Sequence, residues 1–376
     1  MNKHLRQHIK TLAVVAVFAA LMSSFQLRGI SNDAAGLLMS GDAMWNFHLP
    51  APQRIADRYY LGLSAGEEFN LADIKAELLI VEILSVYCSS CQSMKPYMNE
   101  FAEKIERDPQ MRGKVKIIGV GAGNAQSELD MYNKAEQVQF PLFPDPEFYV
   151  YELVKEPRTP FLLFVKPDGE GGLAVAASHL GTLKDADALY EKARSAFNSD
   201  ISLIVAAAAK RKDPDTASRD LVLPVTEDDL WEKIRRSMAS AGGVPTDIMK
   251  LDIEGEDTLY MGFVNDEKVF AKLVSRRIPC NDCHHNFFII GFNDKGVFLD
   301  FVPVYIIKIG YKQWSDTEVK TINQRFFGKS VNDAFPFDPE VDAITSATVS
   351  TRLVYDTYNK AHLAFEKLVE RGYAEK

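Results

Sequence analysis

The sequence predicts an α/β domain in its first half and a smaller α+β domain in its last third. Between residues 78 and 197, apolar runs typical of buried strands alternate with amphipathic segments typical of helices. Near the C-terminus, two β-rich runs joined by Asn293-Asp294-Lys295-Gly296 precede a Ser/Thr-rich segment and a helical pattern. The length of 376 residues is sufficient for two such domains.

The first 30 residues have the pattern of a signal peptide or a membrane anchor. Lys3, Arg6 and Lys10 precede the apolar run LAVVAVFAALM, which is shorter than the roughly 20 residues that span a bilayer. A buried N-terminal helix is the alternative. We expect export, to the periplasm or to a membrane-anchored position facing it, where disulfides persist. The net charge of −9 argues against nucleic-acid binding.

The elements of the first half can be assigned in order. A continuous apolar strand, a turn and an amphipathic helix are followed by further strands and helices, an alternation that indicates a central sheet with helices on its faces. The predicted elements are a strand Leu78–Val86, a helix to about Glu106, a strand Lys114–Gly123, a helix Gln126–Val138, a strand within Arg158–Gly172, a partner strand Leu173–Leu183 and a helix Asp185–Phe197.

All four cysteines lie in two C-x-x-C pairs, a spacing that serves reversible disulfides, metal binding or haem attachment. The first pair, Cys88 and Cys91, falls where the apolar strand gives way to the helix. The free amides and the positive end of the helix dipole stabilise a thiolate there. We therefore expect Cys88, at the exposed first position, to have the lower thiol pKa.

Residues from about 58 to 197 resemble a thioredoxin-like domain, closest to exported redoxins with an extra N-terminal hairpin; we place the domain at 31–200. Tyr87 stands where thioredoxins carry Trp, Pro96 matches the kink proline of the active-site helix, and Glu82 matches the buried carboxylate. Thr159-Pro160 stands at the cis-proline position. The resemblance implies that Glu82 accepts the proton of Cys91 and that the cis-proline loop exposes backbone to a substrate chain. Ser89-Ser90 replaces the Gly-Pro of thioredoxin, which leaves the direction of electron flow open.

A second domain is expected at 226–376, after a linker at 201–225 that combines an alanine-rich run with a polar, Pro-containing stretch. The segment LWEKIRRSMASAGG predicts a helix that ends at Gly242-Gly243. The two β-rich runs predict a hairpin, and PEVDAITSATVSTRLVYDTYNKAHLAFEKLVE predicts a Ser/Thr-rich turn before one long final helix.

This region resembles the FMN-binding domain of flavin subunits in membrane-linked electron-transfer complexes. The family motif is an Asp followed by Ser/Thr-Gly-Ala-Thr and further hydroxyls, and the matching run extends from Asp342 to Ser350. The resemblance implies FMN bound at Thr348, through a phosphoester bond, with Asp342, Thr345, Ser346 and Ala347 in the binding turn. Small side chains and a helix start suit a phosphate. Ser346 replaces the motif's Gly, and an ordinary helix cap is the alternative function of the turn.

The second pair, Cys280 and Cys283, is followed by His284 and precedes the first hairpin strand. C-x-x-C-H is the attachment signature of c-type haem. Zinc would need further ligands, and the adjacent His284 and His285 would point to opposite faces of a strand. A second redox pair or a structural disulfide needs only the two cysteines and is the preferred interpretation, with no metal. Haem stays as the alternative.

Together these features predict an exported thiol-disulfide oxidoreductase that exchanges electrons between FMN and the dithiol of Cys88 and Cys91, with redox partner proteins in the cell envelope. One alternative is a thioredoxin-like peroxide reductase, although such enzymes usually carry Thr three residues before the nucleophile and this chain has Ser85. Another is an electron-carrier module with flavin or c-type haem, in which Cys88 and Cys91 form a structural disulfide.

Overall fold

The computed structural model describes residues 37–211, 223–253, 258–280, 285–308 and 312–375. The predicted signal peptide or anchor, at 1–30, therefore lies outside the described residues, as do Cys283 and His284. From Leu38 onward the chain belongs to one compact unit. Within the described ranges, no helix combines the length and the apolar character that a bilayer crossing requires.

The N-terminal half is built on a six-stranded mixed sheet with the order β1-β8-β7-β4-β5-β6. Strands β4, β5 and β6 are parallel, whereas β7, β8 and β1 add antiparallel pairs. β2 and β3 pair as a separate ribbon, at the place of the expected N-terminal hairpin. The strands are β1 Ala43–Met44, β2 His48–Pro50, β3 Glu68–Asn70, β4 Leu78–Leu84, β5 Val115–Ala122, β6 Leu142–Asp145, β7 Phe161–Pro167 and β8 Leu173–Leu180.

Six α-helices accompany these strands in the described part of this half: α1 Ile55–Leu61, α2 Ser89–Arg107, α3 Gln126–Glu136, α4 Tyr149–Leu153, α5 Ala186–Asn198 and α6 Ile201–Ala208. α2, α3 and α5 contribute to one apolar cluster with the sheet. β6 and α4 were not predicted, because both are short. The segment Ile201–Ala208 is helical, although it falls in the stretch predicted as a linker.

Strand β4 is buried along its whole length, which explains its continuous apolar sequence. It ends at Leu84, two residues before the predicted end at Val86. The backbone N–H of Val86 donates to the side-chain oxygen of Asn124 at 3.0 Å, and that of Cys88 donates to the carbonyl of Ser85 at 3.0 Å. The chain therefore turns toward α2 at this point instead of extending the sheet.

The C-terminal half is built on a five-stranded antiparallel meander with the order β13-β12-β11-β10-β9. Its strands are β9 Thr246–Lys250, β10 Leu259–Val264, β11 Glu267–Arg277, β12 His285–Asn293 and β13 Phe298–Tyr305, followed by the small pair β14 Ile307–Lys308 and β15 Lys312–Gln313. The described helices here are α7 Glu227–Ala239, α8 Asp316–Phe326, α9 Thr348–Asn359 and α10 Ala361–Glu370.

The meander is covered on both faces, and β12 shows why. Phe288, Ile290 and Phe292 join the cluster that contains residues of α8, α9 and α10, whereas Phe287 and Ile289 join the cluster that contains α7. Successive side chains of a strand point to opposite faces, so a strand buried on both sides is apolar throughout. The predicted hairpin between β12 and β13 is present, with its turn at 293–296.

The prediction of a single long final helix is wrong. The chain forms α9 and α10 with a break at Lys360, where φ is −95° and ψ is 0°. The Lys360 side chain binds the carboxylates of Glu152 at 2.7 Å and Asp356 at 3.0 Å and the carbonyl of Glu147 at 3.0 Å. The break therefore lies where the helical segment contacts the N-terminal half.

Candidate active site

The first cysteine pair lies at the N-terminus of α2, as predicted. Cys88 is the N-cap residue, and its sulfur accepts the backbone N–H of Cys91 at 3.3 Å. Neither cysteine is in a disulfide bond. The Cys88 thiol donates to the carbonyl of Thr159 at 3.4 Å, and the Thr159-Pro160 peptide bond is cis, as the resemblance implied. The structure thus brings the dithiol and this loop together.

The expectation that Cys88 is exposed is wrong. Only 1% of Cys88 is exposed, and Cys91 is fully buried. Both belong to the apolar cluster formed by β4, β5, β7, α2, α3 and α5, and Cys280 from the C-terminal half packs against the same cluster. The helix start that was expected to face solvent is therefore covered.

The two thiols differ in their surroundings. Burial is the main cause that raises the pKa of the Cys91 thiol well above its usual value, and the hydrogen bond and charge of Cys88 and the charge of Glu82 add to it. A carboxylate near a thiol disfavours a second negative charge, so Cys91 keeps its proton until it attacks. The lower thiol pKa expected for Cys88 stays a prediction.

Glu82 lies in the middle of β4 and is fully buried. Its Oε2 pairs with Nζ of Lys95 at 2.8 Å, and both side chains are 0% exposed. Its Oε1 has no hydrogen-bond partner among the described residues. One oxygen is thus fixed by a cation while the other is available to accept a proton.

Sequence analysis missed Lys95, although a signal was present. The buried residues of α2 are Cys91, Met94, Lys95, Met98, Phe101 and Ile105, so Lys95 interrupts the apolar stripe of an amphipathic helix. A cation on such a stripe needs a buried partner. The carboxylate of Glu82, in an otherwise apolar strand, supplies it.

Tyr87, immediately before Cys88, begins a chain of polar contacts that reaches the C-terminal half. Its hydroxyl donates to Oε1 of Glu128, and Oε2 of Glu128 accepts from Arg352 of α9 at 3.0 Å. Burial, followed by the hydrogen bond that the hydroxyl donates to Glu128, raises the pKa of Tyr87. The Glu128 and Arg352 side chains are 7% and 5% exposed. This network was not predicted, because it joins residues 224 positions apart.

The Ser/Thr-rich turn leads directly into α9, whose first residue is Thr348. Ser346 has φ of +63°, the left-handed conformation that favours glycine, at the position where the FMN-binding motif has Gly. Thr345 and Ser346 are exposed, Thr348 is half-buried and Ala347 is buried. The local backbone therefore has the conformation that the motif's Gly would adopt.

The start of α9 has the chemistry of a phosphate site. No side chain caps the helix, its first turn carries no acidic residue, and its first backbone bond is from Thr351 to Ala347. Nearby, Ser350 and Asn286 bind the two polar groups of the Ile307 backbone, and Nδ2 of Asn286 is a buried donor with no partner among the described residues. These donors fit a flavin phosphate.

Asp342 precedes the turn. It is tied to Arg325 by an ion pair of 3.1 Å and accepts the backbone N–H of Asp338 at 3.0 Å. It therefore orders the chain that leads into the turn.

For the second pair, the structure describes Cys280, which is disulfide-bonded. Cys283 and His284 lie outside the described residues. His285 does not supply a free ligand, because its ring nitrogens contact Ser275 at 2.9 Å and Arg277 at 3.0 Å. No group of three or more potential metal-ligating side chains occurs in the ranges that the structure describes.

The end of β11, three residues before Cys280, is attached to the N-terminal half by an ionic cluster. Arg276 pairs with Glu152 at 2.7 Å, Glu156 at 2.8 Å and Asp356 at 2.7 Å. Its side chain is 11% exposed. Lys360 joins the cluster through Glu152 and Asp356. Buried and hydrogen-bonded charges of this kind fix orientation.

Comparison with known proteins supports the assignment of the N-terminal half. The chain is 25% identical over 166 residues to the thiol-disulfide oxidoreductase ResA of Oceanobacillus iheyensis, a match that covers 44% of this chain and 76% of the relative. No protein-family model matches the chain.

Similar solved structures include a secreted disulfide oxidoreductase of Mycobacterium tuberculosis (13% identity, 40% of this chain, 96% of that chain, TM-score 0.30). Another is the thioredoxin domain of a thiol-disulfide oxidoreductase of Bacteroides vulgatus (17% identity, 43% of this chain, 99% of that chain, TM-score 0.33). The chain is thus similar to a thiol-disulfide oxidoreductase, and Cys88 and Cys91 are the C-x-x-C pair of its N-terminal half.

Proposed function

We propose that the protein is an exported thiol-disulfide oxidoreductase whose C-terminal half binds FMN and exchanges electrons with the dithiol of Cys88 and Cys91. The observation that carries the proposal is helix α9. It begins at the proposed flavin attachment residue, Thr348, and one turn later its Arg352 binds Glu128, which in turn binds Tyr87 beside Cys88. One rigid element thus connects the two sites.

The dithiol step follows from the arrangement of the sulfurs. The Cys88 thiolate attacks a disulfide, forms a mixed disulfide and releases the partner's first thiolate. Cys91 then attacks the Cys88 sulfur, which closes the Cys88–Cys91 disulfide and releases the partner's second thiolate. Two electrons pass to the partner. The reverse sequence oxidises the partner.

Glu82 is the proposed proton acceptor for Cys91. Its Oε1 is buried without a partner among the described residues, and its charge helps to hold the proton on the Cys91 thiol. As Cys91 attacks, that proton moves to the carboxylate, a transfer of general-base type. Lys95 holds the other oxygen of Glu82 at 2.8 Å and so orients the acceptor.

The C-terminal half would hold FMN at the start of α9, with the phosphate at Thr348 and the backbone N–H groups of the first turn, and with Asn286 as a further donor. Bound FMN supplies exchange between one-electron carriers and two-electron couples. The preferred interpretation of Cys280 and Cys283 is a second redox disulfide. Localisation and partners rest on the N-terminal sequence, which favours export and redox partner proteins of the cell envelope.

The experiment for the dithiol uses the full-length chain produced with its own N-terminus in a host that exports it. Cys91→Ser should accumulate mixed disulfides at Cys88, whereas Cys88→Ser should accumulate none, as measured by non-reducing electrophoresis and mass spectrometry. Adducts on Cys88→Ser alone would reverse the assignment of the nucleophile. Rapid peroxide consumption that depends on Cys88 and needs no partner disulfide would favour the peroxide reductase.

The experiment for the flavin is an intact mass measured after acid denaturation of protein co-produced with a flavin transferase. The mass should include one FMN, and Thr348→Val should lose it. Thr345→Val is the matched control, because Thr345 is an exposed hydroxyl in the same turn, and it should keep the FMN. Covalent flavin on Thr348→Val would contradict the assignment of the residue, and a mass increase equal to haem would favour the haem alternative.

A further inference from the structure

We propose that Tyr132 of α3 is a proton-relay residue, through which protons pass between the buried carboxylate of Glu82 and the surface of the protein. The proposal rests on the proposed role of Glu82 as the proton acceptor for Cys91. It goes further, because it names the route by which the accepted proton reaches water. FMN takes no part in this route.

The buried ion pair needs such a route. The side chains of Glu82 and Lys95 are both 0% exposed, and β4, which carries Glu82, is buried along its whole length. Lys95 binds one carboxylate oxygen of Glu82 at 2.8 Å, and the other oxygen is also buried. A proton that Glu82 takes from Cys91 must therefore leave through a neighbouring polar group before the carboxylate can accept another.

Tyr132 is such a neighbour. Nζ of Lys95 lies 2.8 Å from Oε2 of Glu82 and 5.8 Å from the centre of the Tyr132 ring, and Tyr132 belongs to the apolar cluster that contains Cys88 and Cys91. Only 7% of Tyr132 is exposed. Its hydroxyl, like Oε1 of Glu82, is buried and has no hydrogen-bond partner among the described residues. Proton transfer between such groups takes place over one hydrogen bond or across one bound water.

The electrostatics of Tyr132 agree with this placement. Burial is the main cause that raises the pKa of its hydroxyl, and the charges of Glu82, Cys91, Glu136 and Cys88 add to it. The hydroxyl therefore stays neutral. It passes a proton by accepting one on its oxygen while it donates its own.

Glu136 is the exit of the route. It lies one turn after Tyr132 on α3, a spacing that places both side chains on the same face of the helix. Glu136 is half-buried, so its carboxylate reaches water. Nδ2 of Asn99 in α2 donates to the carbonyl of Glu136 at 3.1 Å and fixes this end of α3 against the helix that carries Lys95. The route thus runs along α3 from the ion pair to the surface.

Packing explains the ring of Tyr132 but not its hydroxyl. Phe140 contacts the same ammonium group without a hydroxyl, at 4.8 Å from Nζ of Lys95 to the ring centre. A phenylalanine at position 132 would keep the ring contact, and a buried hydroxyl without a hydrogen-bond partner lowers stability. A role in proton transfer accounts for the hydroxyl.

The relay balances without a further reagent. The protonated carboxyl of Glu82 loses its proton to Oη of Tyr132, Tyr132 gives its hydroxyl proton to the carboxylate of Glu136, and Glu136 releases a proton to water. No electrons move, and Tyr132 ends as it began. The reverse order returns a proton to Glu82 when the disulfide of Cys88 and Cys91 is reduced.

The test follows the isotope exchange of the Cys91 thiol in the full-length chain. In Cys88→Ser, the infrared S–H stretching band reports Cys91, an assignment that loss of the band in Cys88→Ser/Cys91→Ser verifies. On dilution from H2O into D2O, the band should convert to that of S–D as protons exchange through Glu82. Adding Tyr132→Phe should slow this conversion about tenfold or more, because the hydroxyl is lost while the ring stays.

Two further variants in the same background control the test. Glu136→Gln should also slow the conversion, since it removes the exit carboxylate. Asp130→Asn is the matched control, an exposed acidic residue of the same helix, and it should leave the rate unchanged. Amide exchange of β4 peptides reports opening of the fold in each variant. Looser packing around Tyr132 would admit water and speed the conversion, so a merely structural role predicts the opposite sign.

The outcomes separate the relay from the function on which it rests. If Tyr132→Phe converts as fast as its parent or faster, while Glu82→Gln slows the conversion, the relay is wrong and the role of Glu82 stands. If Glu82→Gln leaves the rate unchanged as well, both assignments fail. Slowing by Tyr132→Phe but not by Glu136→Gln would overturn the exit through Glu136. Formation of a glutathione adduct at Cys88 in Cys91→Ser tests the thiol-disulfide activity separately.

Discussion

Replacement of Lys95 with Met tests the buried ion pair at the centre of the thioredoxin-like half. Met keeps the length of the side chain and packs well against aromatic rings, which matters because Nζ of Lys95 lies 4.8 Å from the centre of the Phe140 ring. The substitution removes the cation and leaves the carboxylate of Glu82 fully buried without its partner. The perturbation is therefore electrostatic rather than steric.

The magnitude follows from the burial of both groups. Removing one partner of a buried ion pair costs about 3–5 kcal/mol, because a lone charge stays in a medium that solvates it poorly. Replacing both partners with well-packed apolar groups of similar volume is often close to neutral. We therefore expect Lys95→Met to lower the free energy of unfolding by ~3–5 kcal/mol. The double variant Glu82→Leu/Lys95→Met should recover most of this loss.

Hydrogen–deuterium exchange of peptides from β4 is the assay, since it reports the opening free energy of this half separately from the rest of the chain. The double-mutant cycle isolates the interaction between the two side chains. An unchanged opening free energy in Lys95→Met, or a double variant as unstable as the single one, would refute the reasoning. The exchange chemistry gives a second readout. Lys95→Met should slow attack by Cys91, because Lys95 no longer holds the carboxylate of Glu82 in the orientation that accepts the proton.

Three further predictions concern the interface, the turn and pH. Arg276→Gln should weaken the contact between the halves and raise the rate at which iodoacetamide alkylates Cys88 at least tenfold. An unchanged alkylation rate would show that the burial of Cys88 does not depend on the ion pairs of Arg276. Ser346→Gly should raise the free energy of unfolding of the C-terminal half by about 1 kcal/mol, measured by hydrogen exchange of α9, because Ser346 has φ of +63°. Burial raises the pKa of Asp145 to about 6. The protonated carboxyl thus stabilises the fold fully below about pH 4, and this contribution to the free energy of unfolding is lost as pH rises through about 6. Measured between about pH 4 and 7, the free energy of unfolding of Asp145→Asn should lack this pH-dependent contribution.

The elements that the sequence predicts well are those whose pattern is strong and local. β4 and β5 are buried on both faces and have continuous apolar runs, and the hairpin of β12 and β13 has clear turn chemistry. The meander strands β9, β10 and β11 were not assigned. The single final helix was wrong because its break depends on contacts of Lys360 with residues more than 200 positions away.

The site follows the same division. The resemblance to thioredoxin-like domains marks the dithiol, the buried carboxylate and the cis-proline loop, so the sequence could assign Cys88, Cys91, Glu82 and Thr159 to one site. The burial of Cys88 could not be predicted, because it depends on packing between segments that are far apart in the chain, such as the contact of Cys88 with Thr159. Lys95 left a local signal, whereas Arg352 and Glu128 left none, since nothing in a sequence pairs two charges so far apart.

The buried dithiol places a condition on any exchange with other proteins. A cysteine that is 1% exposed cannot meet an external disulfide unless the residues that cover it move away. The contacts around it that join the halves include the ion pairs of Arg276 with Glu152 and Glu156 and of Arg352 with Glu128. Each of these groups regains hydration when the contact opens, which lowers the net cost of separation compared with an apolar interface of the same size. The proposed exchange with a partner protein therefore requires a second arrangement of the same unit, in which Cys88 is uncovered, and these ion pairs set the balance between the two arrangements.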